Sequence, residues 1–162
     1  MEKNYPSSTK VVVIGGGVIG CSVAYHLTKF GWNDVVLFER DQLTSGTTWH
    51  AAGLVSQLGP TAAVTKIRKY TLDLYKKLEK EVDHSAGLRI NGALSIAQTD
   101  SRWQEIQRQA TTAQLYDVDL KILDKDSIKK NYPMMQTDDL KGGVLMPGDG
   151  AADPSGVTHM LA

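Results

Sequence analysis

Apolar and polar positions follow two different periods along this chain, and each change of period marks an element. Val11-Val12-Val13-Ile14, opened by Lys10, is a continuous apolar run of the kind expected for a parallel strand buried on both faces. It enters Gly15-Gly16-Gly17-Val18-Ile19-Gly20 without a break. The helix that follows passes through Ala24 and Leu27 and stops at Phe30-Gly31, a glycine signal for a helix C-terminus. Val35-Val36-Leu37-Phe38 is a second strand and ends at Glu39. The order is βαβ, with the glycines at the first turn.

Further along, Val64, Ile67, Leu74, Leu78 and Val82 fall on one face of a long helix, with the lysines and glutamates of 76–81 on a solvated face. Residues 88–90 and 93–97 read as short strands, joined by the hairpin-turn signal Asn91-Gly92. A polar helix over 101–116, a strand over 120–123, a short helix over 127–131 and a strand over 142–146 complete the pattern. Gly148-Asp149-Gly150 reads as a turn rather than a metal or phosphate site. Asp153 or Ser155 caps a last helix, with Pro154 in its first turn. That helix meets no stop signal before Ala162, which suggests a truncated reading frame.

Length and charge narrow the class. A chain of 162 residues buries one respectable core. Its 18 basic and 18 acidic side chains balance, leaving no electrostatic footprint for nucleic acid or an anionic membrane. No apolar run approaches the roughly 20 residues needed to span a bilayer. Residues 1–9 carry one lysine and no apolar core, unlike a signal or transit peptide, and read as a flexible N-terminus. The single cysteine, Cys21, cannot form an internal disulfide, which suits a reducing compartment such as the cytoplasm. It lies in the first turn of the first helix and reads as packing. His26, His84 and His159 are scattered, and no two histidines stand at metal-ligand spacing, so no metal site is expected.

The glycine turn predicts an adenine dinucleotide. Gly15 permits the tight exit from the strand, Gly17 lets the backbone approach a pyrophosphate, and Gly20 lets the helix lie against the sheet. The helix N-terminus offers free N–H groups and partial positive charge to the phosphates. Glu39, 19 residues beyond Gly20, is placed to bond both ribose hydroxyls. Its charge repels a 2′-phosphate, so NADP is disfavoured although Arg40 is adjacent. A nicotinamide dehydrogenase would then enter another crossover helix. Here Ser45-Gly46-Thr47-Thr48 follows instead, with hydroxyls and glycine suited to wrapping phosphate or ribityl oxygens. Trp49, His50 and the small Ala51-Ala52-Gly53 come next, where a large planar ring can approach the backbone. Trp49 either shields such a ring or packs as an ordinary aromatic.

Residues 11–54 resemble the D-amino-acid-oxidase-type flavoproteins, and within them the sarcosine and dimethylglycine dehydrogenases. Their hallmark is Leu-Thr-(Ser/Ala)-Gly-(Ser/Thr)-Thr-Trp-His-(Ala/Thr)-Ala-Gly-Leu, which Leu43 to Leu54 matches at every position. The resemblance implies FAD, bound covalently through a neutral nitrogen of His50 at the flavin 8α carbon. It further implies that Val18, Ile19, Glu39, Arg40, Gly46, Thr47, Thr48, Trp49, His50, Ala51, Ala52, Gly53 and Leu54 line the cofactor. More loosely, 91–97, Tyr132-Pro133 with Leu140, 146–150 and Asp153-Pro154 fit the start of the family's substrate region.

The implied fold is α/β: a Rossmann-like FAD-binding domain with part of an α+β substrate region, truncated. Residues 10–162 would be its N-terminal part. About 10–60 form the dinucleotide unit, 61–145 the helices and first substrate-domain strands, and 146–162 the incomplete return. The implied activity is oxidation of an N-methylated amino acid by hydride transfer from the N-methyl carbon to flavin N5. The iminium formed is hydrolysed to formaldehyde or captured by tetrahydrofolate in a C-terminal region these 162 residues lack. The implied partners are the small-molecule substrate and an electron acceptor, either an electron-transfer flavoprotein or dioxygen, with a mitochondrial matrix location in a eukaryote. No residue here is assigned to bind the substrate carboxylate or take the amine proton, and the fragment alone is expected to be inactive. Three alternatives stand beside this reading. They are a noncovalent glycine or D-amino-acid oxidase, a non-catalytic relative similar to the regulatory subunit of pyruvate dehydrogenase phosphatase, and a NAD-binding module. The regulatory subunit lacks the Trp-His pair.

Overall fold

The computed structural model describes residues 5–162; of the expected flexible N-terminus, residues 1–4 lie outside the described residues. The chain divides into two compact units, one ending its first stretch at Gly53 and including Tyr75–Leu88 and Ala152–Ala162, the other made of Leu54–Leu74 and Arg89–Ala151.

The first unit is built on β1 (Val11–Ile14), α1 (Val18–Lys29) and β2 (Val35–Phe38). β1 and β2 pair in parallel, Val11 opposite Val35 and Ile14 opposite Phe38. Thr9 Oγ1 ties the entry to β1 onto Asp34, donating to its carbonyl at 3.0 Å and to its carboxylate at 2.9 Å. The β1 run is a strand, but it is not buried on both faces: Val12 is 50% and Ile14 87% exposed. The reason is that β1 pairs with β2 alone among the described residues, so the apolar content that reads as a central strand has one neighbour. Cys21 is buried in the first turn of α1. A final helix, α5 (Pro154–Leu161), buries Val157, Met160 and Leu161. Its cap is Asp153, not Ser155: the carboxylate accepts the N–H groups of Ser155 and Gly156 at 3.2 and 2.9 Å. The connection over 82–88 is pinned by Glu79, whose carboxylate accepts Ala86 N–H at 2.9 Å, Leu88 N–H at 3.1 Å and the Ser85 hydroxyl at 2.9 Å.

The second unit centres on an antiparallel sheet. β4 (Ala93–Ala97) and β5 (Lys121–Leu123) flank β6 (Gly142–Met146). A helix, α3 (Asp100–Leu115), packs on it, and Ala97, Ile106 and Val144 form the buried centre with Trp103 and Leu120 against them. Thr99 and Asp124 cap α3 and the short α4 (Lys125–Asn131), accepting Arg102 N–H and Ser127 N–H. A short β3 (Leu54–Val55) pairs antiparallel with β7 (Gly150–Ala151).

Asn91-Gly92 is not a hairpin turn. Arg89 bridges Ala151 while Ala93 pairs Met146, so residues 89–97 run along one antiparallel course beside 142–151. The kink at Asn91-Gly92 goes around the turn at 147–149, where Gly92 takes φ of +81° and donates its N–H to the Asp149 carbonyl at 2.8 Å. The turn-forming pair is used to follow another turn, a job that needs the same positive φ.

The long helix α2 spans Ala62–Glu81. Its buried positions do not form the single expected face: Leu74 and Leu78 are buried, but Ile67 is 63% exposed, and Thr65 and Leu72, on a different side of the helix, are buried. Thr65 tolerates burial because its hydroxyl is satisfied, donating to Thr61 O at 3.0 Å and accepting Gly59 N–H at 3.0 Å.

Candidate functional site

Strand β1 ends in a turn that folds back onto the end of β2. Gly15, at φ of +107°, donates its N–H to the Phe38 carbonyl at 2.8 Å. Gly16 donates to Glu39 Oε2 at 2.6 Å, and Asp41 N–H reaches the other oxygen at 3.1 Å. These donors, Gly16 first and Asp41 next, hold the Glu39 carboxyl below the ordinary carboxylate range, with Arg40 adding to the effect. Each carboxylate oxygen keeps a further acceptor site, so a ribose hydroxyl can still be met.

The turn is tightly built. A Cβ on Gly20 would stand 1.9 Å from the Gly15 carbonyl oxygen, which is why the helix can start so close to the strand only with glycine there. A Cβ on Gly16 would meet Leu43 Cδ2 at 2.5 Å.

Helix α1 has Gly17 at its cap position and no side-chain cap of its own. The N–H of Val18 is met from elsewhere in the chain, by Thr48 Oγ1 at 3.0 Å. Around this end lies an open pocket of about 410 Å³. Gly15, Gly17, Val18, Ile19 and Gly20 line it from the turn and helix, Glu39 from the end of β2, and Gly46, Thr47 and Thr48 from the loop. Free helix N–H groups, an acidic acceptor and two hydroxyls around glycine backbone are a donor and acceptor set that fits a pyrophosphate and its ribose.

The remaining predicted residues do not line this pocket. Arg40 is exposed beside it. Thr48–His50 form a single 3-10 turn, with His50 N–H bonded to Thr47 O at 3.1 Å. Trp49 is 58% exposed and its ring lies 3.8 Å from that of His50, tilted by 41°. His50, Ala51 and Ala52 are exposed as well. Gly53 is held by Ala152, whose N–H it accepts at 2.9 Å, and Leu54 opens β3 in the other unit.

Three residues at the turn escape the sequence reading. Gly16 occupies an unspecified position of the motif, yet both its N–H and its carbonyl are used, the latter by Thr44 N–H at 3.0 Å. Leu43 closes over it. The run of three glycines is a signal for Gly16; nothing in the residue types marks Thr44. Elsewhere, burial pushes the Cys21 thiol up, and the charge of Glu39 adds to this, as suits a packing residue. His84 and His159, scattered in sequence, bring their ring centroids to 5.4 Å. Among the described residues no group of three or more His, Cys, Asp or Glu is arranged to hold a metal ion. No helix among them is long and apolar enough to cross a membrane.

The profile of the family described as FAD dependent oxidoreductase (DAO) matches residues 10–162. Human mitochondrial sarcosine dehydrogenase is 42% identical over 158 residues, covering 97% of this chain and 17% of that protein. Rat mitochondrial dimethylglycine dehydrogenase is 38% identical over 153 residues, 94% of this chain and 18% of that protein. The chain thus spans less than a fifth of the length of these curated relatives. Among solved structures, L-proline dehydrogenase from P. horikoshii superposes with a TM-score of 0.88 at 26% identity, over 98% of this chain and 41% of that one.

Proposed function

The chain belongs to the DAO family of FAD-dependent oxidoreductases, and from that premise we propose that it serves the oxidation of an N-methylated amino acid of the sarcosine or dimethylglycine type. The observation that carries this reading is the convergence of the glycine turn, Glu39 and the 46–48 loop on one pocket at the start of α1, in a chain 42% and 38% identical to dehydrogenases of those two substrates.

In this reading the residues divide the work of holding FAD. The N–H groups at the start of α1 and the Thr47 and Thr48 hydroxyls take the pyrophosphate. Glu39 takes the ribose, with Arg40 beside it. Trp49, His50 and the small residues 51–53, with Leu54, accommodate the flavin, and His50 is its covalent anchor. When bound, FAD supplies a two-electron acceptor for the hydride leaving the N-methyl carbon. The protein contributes position and electrostatics.

The one-carbon unit passes to water as formaldehyde or to tetrahydrofolate. The electrons pass to an electron-transfer flavoprotein or dioxygen. In this reading neither transfer is assigned to a residue among these 162. The compartment that goes with this reading is the cytoplasm, or the mitochondrial matrix in a eukaryote, as the two relatives' names suggest.

Acid precipitation of the longest natural polypeptide carrying residues 1–162 tests the proposal. Yellow colour in the pellet, mapped to the His50 peptide, supports covalent FAD and the amine dehydrogenase reading. Flavin released to the supernatant moves a noncovalent oxidase ahead. No flavin before or after adding FAD favours a non-catalytic relative.

A further inference from the structure

Outside the residues assigned to FAD, the loop after Glu39 holds one strained residue. The carbonyl of Gln42 accepts Ser45 N–H at 3.2 Å, closing a four-residue turn whose third position is Thr44, at φ of 71°. That position normally takes Gly or Asn, and a β-branched residue there is an outlier that persists only when its surroundings hold it. Two contacts hold Thr44. Its N–H donates to the Gly16 carbonyl at 3.0 Å, and its Oγ1 accepts the hydroxyl of Ser155, in the first turn of α5, at 3.4 Å. Thr44 therefore ties the middle of the glycine turn to the loop whose next residues, Gly46, Thr47 and Thr48, line the pocket.

We infer that Thr44 is a positioning residue: its left-handed conformation, kept by the Ser155 hydroxyl, aims the 45–48 loop so that Thr48 reaches the start of α1. This rests on the reading of the pocket as a dinucleotide site. If the hydroxyl contact is what keeps the strained conformation, removing it lets residue 44 relax to negative φ and the loop turns away. Glycine at the same position needs no such contact, since it takes positive φ freely.

The test is a fluorescence titration with FAD of the longest natural polypeptide carrying this chain, in a His50→Ala background that keeps flavin exchangeable. Thr44→Val, isosteric but without the hydroxyl, is expected to weaken FAD binding on the order of tenfold, the scale of a strained left-handed residue. Ser155→Ala should do the same. Thr44→Gly should restore binding to about the parent value, and Ser155→Ala should have no further effect on it. Far-UV circular dichroism checks that each variant is folded. A Thr44→Val variant that binds like the parent, or a Thr44→Gly variant as weak as Thr44→Val, overturns the inference while leaving the flavin reading intact. A parent that takes up no FAD removes both.

Discussion

Glu39 Oε2 lies 2.6 Å from the backbone nitrogen of Gly16, so the acidic residue at the end of β2 is locked to the turn at the end of β1. A carboxylate that served the ribose alone would have no such internal bond. Here it braces the glycine turn and presents its remaining acceptor sites to the pocket.

Glu39→Gln should therefore weaken FAD binding on the order of tenfold or more, since a charge-assisted acceptor becomes a neutral one. The folded carboxyl sits below its ordinary value, near 4.3 for a free glutamate, so it stays ionised throughout mildly acidic conditions. Wild-type affinity followed by fluorescence titration should be flat from about pH 7 to 5 as far as this group is concerned. A fall in affinity over that range that disappears in Glu39→Gln would contradict the assignment.

Gly20→Ala places a methyl 1.9 Å from a backbone oxygen that cannot rotate away. Helix α1 must then shift, at a cost of about 1–3 kcal/mol or more, and the melting temperature should fall by several degrees. Gly46 has no atom within 4 Å of its Cβ direction, so Gly46→Ala should melt like the parent. Calorimetry on the pair separates a packing requirement from a general intolerance of alanine.

His50→Ala is expected to abolish acid-stable flavin while leaving exchangeable FAD bound, because the pocket at the start of α1 does not include this side chain. Flavin that still migrates with the denatured His50→Ala chain on a gel would remove His50 from its role.

Asp149 gives a prediction about stability. It is 1% exposed; Oδ1 accepts Gln57 N–H at 2.9 Å, and Oδ2 has no partner. Burial raises its carboxyl above the ordinary value, against the opposing pull of Gln57 and Arg68. The folded state thus holds the proton more tightly than the unfolded one. Stability should decline as pH rises from about 3.9, the unfolded value, to the raised folded value, and stay lowered above it. Asp149→Asn keeps an acceptor for Gln57 and cannot ionise, so its melting temperature should exceed wild type at pH 7 and converge with it near pH 4. A constant difference across that range would show that ionisation is not the cause.

The β1–α1–β2 order and the glycine turn are legible in the sequence because their signals are local: a run of β-branched residues, glycines at fixed offsets, and an acidic residue at the right distance. The exposure of Val12 and Ile14 was not legible, since the same run serves a strand with one neighbour or two. Asn91-Gly92 reads as a hairpin for a similar reason, because positive φ is needed equally to make a turn and to pass around one. On α2, Thr65 is buried with its hydroxyl bonded to Gly59 and Thr61 while Ile67 is exposed, a polar burial that hydrophobic periodicity ignores. The left-handed conformation of Thr44 is not legible, because its partners Gly16 and Ser155 lie far from it in sequence.

The carboxylate of Glu79 closes the connection 82–88 by taking two amides and a hydroxyl from it. A protease needs an extended stretch of backbone with its amides free, and here the N–H groups of Ala86, Gly87 and Leu88 are all taken. An extra residue inserted at 85–88 would pull at least one donor out of reach, so this connection should keep its length among related chains.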